Sequence, residues 1–212
     1  MAVSYDYIRQ PAEIYAHSFA IVREEAQLDR LPVEADMEAV AIRLIHACGM
    51  VDVVDDLAFS MGAVAAGKAA LQAGAPVFCD VEMVRSGIIA KRLPAQNALV
   101  CTLNDAAVPD HAKTIGNTRS AAAVDFWQDF EGAIVAVGNA PTALFRLLEN
   151  IDRLGVKPAL VIGLPVGFVG AAESKQALAE FGDGLEFITL HGRRGGSAMA
   201  SAVVNALAAG LD

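Results

Sequence analysis

Apolar positions along the 212-residue chain fall into two textures. Up to about residue 75 they recur at helical spacing among polar residues. Pro11 to Leu28 carries Ile14, Phe19, Ala20 and Val22, and Val40, Ala41, Leu44, Ile45 and Cys48 mark a second amphipathic run after Pro32. Gly49 is a suitable stop for that helix, because glycine takes the left-handed conformation common just past a helix end. A third, small-residue helix is expected from about Asp56 to Leu71, ending at Gly74. Beyond it come short continuous apolar runs: PVFCDV (Pro76 to Val81), ALVCTL (Ala98 to Leu103), AIVAV (Ala133 to Val137), ALVIG (Ala159 to Gly163) and LEFITL (Leu185 to Leu190). Unbroken rather than alternating hydrophobicity marks a strand covered on both faces. Five such strands separated by helical stretches predict a three-layer α/β/α domain built on a doubly wound, parallel, five-stranded sheet. Residues 1–75 form its mainly helical N-terminal extension and 76–212 its sheet core, within a single domain.

Composition narrows the class. The chain is 55% hydrophobic, so it is not disordered. Its apolar stretches are broken by Lys68, Pro165 and glycines, so no membrane span is expected. The formal charge of −9 repels nucleic-acid phosphates and anionic lipid, which excludes nucleic acid and membrane as bulk partners. Cys48, Cys79 and Cys101 are odd in number and lack CxxC spacing, and the opening residues show no secretory leader. A reducing cytoplasm is the expected compartment.

Chemistry is expected beyond the carboxyl ends of the parallel strands, where ligands of open α/β sheets bind. Three glycine-rich turns stand there: GNAPTA (Gly138 to Ala143), GLPVGFVGAAES (Gly163 to Ser174) and HGRRGGSA (His191 to Ala198). Each feeds a helix N-terminus, with Pro141 placed for a first helical position and Ser197 for an N-cap. Free N–H groups and the helix dipole favour an anion at such turns, and Arg193 and Arg194 add bidentate donors. Strand-to-helix turns need glycine in any case, so each turn singly has an ordinary reading, while three together favour a small-anion site. No GxGxxG or Walker A sequence occurs, which gives a nucleotide cofactor little support.

The histidines are His17, His46, His111 and His191, and no metal-ligand spacing links them. A zinc site is not expected. His46 lies near the end of an apolar helix in LIHACGMVDV, where a core role and an acid–base role both remain open. No GxSxG elbow is present, and Cys48 has no basic neighbour in sequence beyond His46.

Seven segments in order carry a family resemblance: YAHSFAIVREE (Tyr15 to Glu25), RLIHACGMVD (Arg43 to Asp52), PVFCDVEMVRSGI (Pro76 to Ile88), NTRSAAAVD (Asn117 to Asp125), VGNAPTAL (Val137 to Leu144), GLPVGFVGAAESK (Gly163 to Lys175) and GRRGGSAMA (Gly192 to Ala200). The sequence resembles the precorrin-8X methylmutases, or precorrin isomerases, of cobalamin biosynthesis. That resemblance implies a flavodoxin-like fold, a homodimer with active sites at the subunit interface, and an isomerase. The implied reaction moves a methyl group from C-11 to C-12 of precorrin-8X, a tetrapyrrole polycarboxylate, to give hydrogenobyrinate. The methyl group never leaves the molecule, so no methyl donor, metal or other cofactor is implied.

The family's histidine falls on His46, whose implied role is proton donation near a ring nitrogen. An imidazole suits that task because it titrates near neutrality. A flat ring bearing carboxylates needs an apolar floor and a rim of donors. The implied floor is Phe168 and Met61. The implied rim is Arg119, Arg193, Arg194 and Gly195, with Gly138, Asn139 and Thr142 of one turn and Gly167, Val169, Glu173 and Ser174 of another. Arg85 either joins that rim or pairs with Glu82 or Asp80. Ser18, Phe19 and Arg23 either reach the ligand or pack an interface. Two other functions stay open: a non-catalytic tetrapyrrole carrier, and a nucleotide-dependent transferase on the same sheet.

Overall fold

The apolar runs become strands because their alternate side chains find cover on both sides. In the computed structural model, which describes residues 3–32, 36–182 and 184–211, these are β2 (Val77–Cys79), β3 (Leu99–Val100), β4 (Ile134–Val137), β5 (Leu160–Gly163) and β6 (Phe187–Leu190). Ile134 and Ala136 of β4 join one buried cluster and Val135 and Val137 the other. Each large aliphatic side chain buried this way contributes about 1.5–3 kcal/mol. The first cluster packs under α3 (Ala63–Gln72) and α9 (Ser197–Ala209). The second packs under α7 (Pro141–Leu154) and α8 (Ala171–Glu180).

The sheet is mixed and has six strands, which corrects the expected five. Leu57–Phe59 forms β1, antiparallel to β6, with Leu57 opposite Leu190 and Phe59 opposite Ile188. The third helix was expected to begin at Asp56, but α3 starts only at Ala63. Three residues are too short to show a period of two, and DDLAFSMG blends into the helical pattern that follows. The order is β1-β6-β5-β4-β2-β3, and β2/β3, β2/β4, β4/β5 and β5/β6 pair in parallel. The winding reverses between β2 and β4, which makes that crevice the switch point.

The remaining helices frame the strand ends: α4 (Glu82–Gly87) follows β2, while α5 (Val108–Thr114) and α6 (Arg119–Val124) lie between β3 and β4. On the opposite flank, α1 (Pro11–Ala26) packs on α2 (Glu38–Cys48), and α2 packs on α9. Helix α9 therefore has the sheet on one side and α2 on the other, which explains its apolar sequence all round. Gly49 ends α2 in the left-handed conformation, φ 70°, its N–H donating to Ile45 O, as expected. Ser197 is the first residue of α9 rather than its cap. Gly196 occupies the cap at φ 137°, where a side chain would be strained.

Candidate active site

His46 lies in the last turn of α2 and is exposed, so it is not a core residue. Its Nδ1 is 2.8 Å from Ser18 Oγ of α1. When the ring is neutral with its proton on Nε2, the hydroxyl donates to Nδ1. When the ring is protonated, Nδ1–H donates to the hydroxyl. Tyr15 and Phe19 hold the imidazole with ring centroids 5.7 and 5.5 Å away. The same two aromatics help wall a cavity of about 450 Å³ together with Pro11, Ala12, Arg92 and Leu211. Past Gly49 the chain forms a 3-10 turn, Val51–Asp56, and Asp56 O accepts from His191 N–H just beyond β6. The C-terminal end of α2 thus faces the carboxyl edge of the parallel strands.

Along that edge the glycine-rich turns are linked. Thr118 Oγ1, whose side chain caps α6, lies 2.8 Å from Thr142 Oγ1 in the first turn of α7. Arg119 donates to Leu103 O at 3.2 Å. A Cβ on Gly170 would touch Pro141, and Gly167 N–H donates to Arg193 O at 3.3 Å, which joins the turns after β4, β5 and β6. Phe168 is 84% and Val169 90% exposed, and the Arg193 guanidinium sits 5.3 Å from the Phe168 ring centroid. An apolar tip under a cation at this edge suits a flat, acidic ligand.

Arg194 is committed elsewhere. It bonds Asp56 Oδ2 through Nη2 at 2.5 Å and Asp52 Oδ2 through Nη1 at 2.7 Å, tying the loop after β6 to the 3-10 turn after α2. From beneath, the buried Lys175 ammonium donates to Arg194 O. Burial pulls this ammonium down to about 8, against the opposing pull of Asp56. Burial likewise pushes the Cys48 thiol up, with Arg194 only partly offsetting it, so Cys48 is not an activated nucleophile.

Against known proteins, the family model described as Precorrin-8X methylmutase matches residues 13–209. The Precorrin-8X methylmutase of Pseudomonas aeruginosa is 59% identical over 204 residues, covering 96% of this chain and 97% of that protein. The chain belongs to the precorrin-8X methylmutase family. It is therefore an isomerase. The Cobalt-precorrin-8 methylmutase of Salmonella typhimurium is 41% identical, covering 95% of this chain and 96% of that protein. A solved structure, the precorrin-8X methyl mutase from Thermus thermophilus, superposes with a TM-score of 0.82 at 40% identity, covering 92% of this chain and 94% of that one.

Within this precorrin-8X methylmutase fold, the sequence-predicted residues divide. Ser18 and His46 meet directly, and Phe168 and Arg193 meet directly. Met61 and Phe168 do not meet within one chain. Met61 follows β1 beside the start of β6, where a Cβ on Gly62 would strike Glu186, whereas Phe168 lies beyond the carboxyl edge. Arg85 pairs with Glu82 at 2.8 Å, and Arg23 with Glu38 at 2.6 Å. Arg23 also lines a separate cavity of about 470 Å³ with Leu28, Leu31 and Met37. Ser174 is buried and donates to Ala171 O, while Glu173 and Asn139 are exposed. Gly195 is needed for packing, since a Cβ there would strike the Leu164 carbonyl oxygen.

Sequence reasoning missed three residues. Lys175 shares the buried stripe Ala171, Ser174, Lys175 and Leu178, a lysine on an apolar face that helical spacing could have flagged. Arg92 carries no local signal and reaches the His46 side only through the fold. Asp80 directly follows a buried strand. Its carboxylate accepts from the N–H groups of Gly138, Asn139 and Ala140 at 2.9, 2.9 and 2.8 Å. The N–H cradle expected for a ligand after β4 is therefore filled from within. Among the described residues no cluster forms a metal site, and no helix is long and apolar enough to cross a membrane.

Proposed function

We propose that this isomerase acts in cobalamin biosynthesis, converting precorrin-8X to hydrogenobyrinate by moving the C-11 methyl group to C-12, with His46 as the proton donor. The observation that carries this reading is the exposed His46 imidazole, fixed through Nδ1 by Ser18 and flanked by Tyr15 and Phe19. Anchoring one ring nitrogen leaves Nε2 to give its proton to the substrate and take it back. The C-11–methyl bond breaks as the C-12–methyl bond forms, so the chain supplies a proton and a fixed ring geometry, and no external group. Tyr15 and Phe19 offer an apolar wall beside His46, while Phe168 and Arg193 offer an exposed tip for the substrate's ring and acid groups. Arg119, Asn139 and Thr142 extend the donors along the same edge.

The higher identity to a relative named for precorrin-8X than to one named for cobalt-precorrin-8 supports the metal-free substrate. The strand order supports a flavodoxin-like winding, and the family supports a homodimer working in the cytoplasm. In such a dimer Met61, at the opposite sheet edge from Phe168, would reach a ligand from the partner. A nucleotide-dependent transferase is disfavoured because Asp80 already occupies the switch-point donors that would cradle a phosphate.

His46→Ala should retain macrocycle binding and lose about 10²–10⁴-fold in kcat, read by visible spectroscopy with metal-free and cobalt-containing substrate side by side. Full turnover by that variant would remove His46 from the mechanism. Equal turnover of both substrates would remove the metal-free preference.

A further inference from the structure

We propose that Asp80 is a positioning residue: its carboxylate serves as a built-in anion that fixes the turn after β4, so that this turn meets the substrate through the side chains of Asn139 and Thr142 and not through its backbone. The second half of this statement rests on the function proposed above; the first does not. Asp80 is 2% exposed and lies in the crevice where the strand order reverses. Gly138 N–H donates to Oδ1, while Asn139 and Ala140 N–H both donate to Oδ2. The Asp80 N–H donates back across the strands to Ala136 O at 3.2 Å, so the residue is held at both ends.

Burial raises the Asp80 carboxyl on balance, and the three N–H donors offset it only in part. The geometry is that of a held carboxylate, since both oxygens accept from N–H groups and an added acid proton would have to compete with those donors. Ala140 caps α7 and Pro141 has no N–H to offer, so the Asp80 carboxylate already sits at the positive end of the helix dipole. The turn also has no room to move. A Cβ on Gly138 would come within 2.8 Å of Ser197 Cα and Val84 Cγ2. A substrate carboxylate therefore cannot displace Asp80 and reach these N–H groups, whereas Asn139 is exposed and Thr142 half-buried beside Thr118.

Chemical rescue tests this without any substrate. In Asp80→Ala the emptied nest has the shape and donors of a formate site. Sodium formate at constant ionic strength should raise the melting temperature of the variant saturably above its value in sodium chloride. The wild type should show no such difference. Equal melting temperatures of Asp80→Ala in the two salts would overturn the built-in anion. Asp80→Asn keeps the shape but turns an amide NH2 toward N–H donors, and covers the case in which the alanine variant does not fold. It should melt below wild type with no gain from formate. A wild-type melting temperature for it would also overturn the proposal. For the part that depends on substrate, Asp80→Asn should raise KM about tenfold with kcat within about twofold, as expected for a displaced binding turn. A parallel fall in kcat with KM unchanged would overturn the binding role while leaving the formate result standing.

Discussion

The turns after β4 and after β6 look alike in sequence, each a glycine-rich link from a buried strand into a helix. In the structure they are used in opposite ways. The first is buried at Gly138 and Ala140, and its N–H groups are taken by Asp80, a residue 58 positions upstream of Gly138. The second turns its carbonyls inward, with Arg194 O bonded to Lys175 and Arg193 O to Gly167, and leaves the Arg193 side chain exposed. A glycine-rich turn thus offers an anion site only if nothing inside the protein has already filled it. Whether that has happened is decided by a residue the local sequence does not contain.

Substitutions in the second turn test this contrast, because they should separate its framework from its free cation. The largest effect is expected from Gly195→Ala, which forces a Cβ against the Leu164 carbonyl oxygen and should destabilise the fold by about 3 kcal/mol in denaturant unfolding. Arg193→Ala should leave unfolding unchanged and weaken macrocycle binding by about 1.5–3 kcal/mol in a spectroscopic titration, since its described contact is the Phe168 ring. Unchanged affinity would mean that the second turn is as closed to ligand as the first. Arg194→Ala should show the reverse profile, losing about 1–2 kcal/mol of stability as Asp52 and Asp56 lose their shared partner.

Asp125 serves as a control away from both turns, with an effect that is full near neutral pH and lost only in acid. Burial alone would raise its carboxyl, but Arg146, Asn150 and His111 together hold it down at about 2. Its contribution is complete above the ordinary carboxylate range near pH ~4 and fades as pH falls toward 2. Asp125→Asn should therefore flatten the acid limb of the stability profile by about 1–2 kcal/mol. An unchanged acid limb would show that these side-chain donors do not hold a carboxylate as backbone donors hold Asp80.

The parallel strands were legible because burial on both faces leaves unbroken apolar runs such as AIVAV and ALVIG. The α2 boundary was legible because Gly49 is the residue type that its left-handed cap requires. The β1 strand was hidden, being three residues long and paired to β6 across about 130 positions of sequence. In the candidate site, the His46 motif and the exposed Phe168–Arg193 tip could be named from sequence. What local pattern could not reveal was commitment. Arg194 and Arg23 gave no sign of their partners until the fold brought Asp52 and Asp56, and Glu38, beside them, whereas the Arg85–Glu82 pair was already one of two readings of the local sequence. Met61 and Phe168 read as one floor until the antiparallel run of β1 carried Met61 to the opposite sheet edge.

The position of α9 bears on how the molecule is assembled. This helix is the middle layer between the sheet and α2, and Arg43 of α2 bonds Gly210 O across 167 residues of sequence. The helix bearing His46 leaves the ribosome long before α9, its partner. Until α9 emerges, the face of α2 that packs on it stays uncovered, a long-range closure of the kind that slows folding. Chains stalled short of α9 should carry a complete His46 motif and no organised active site.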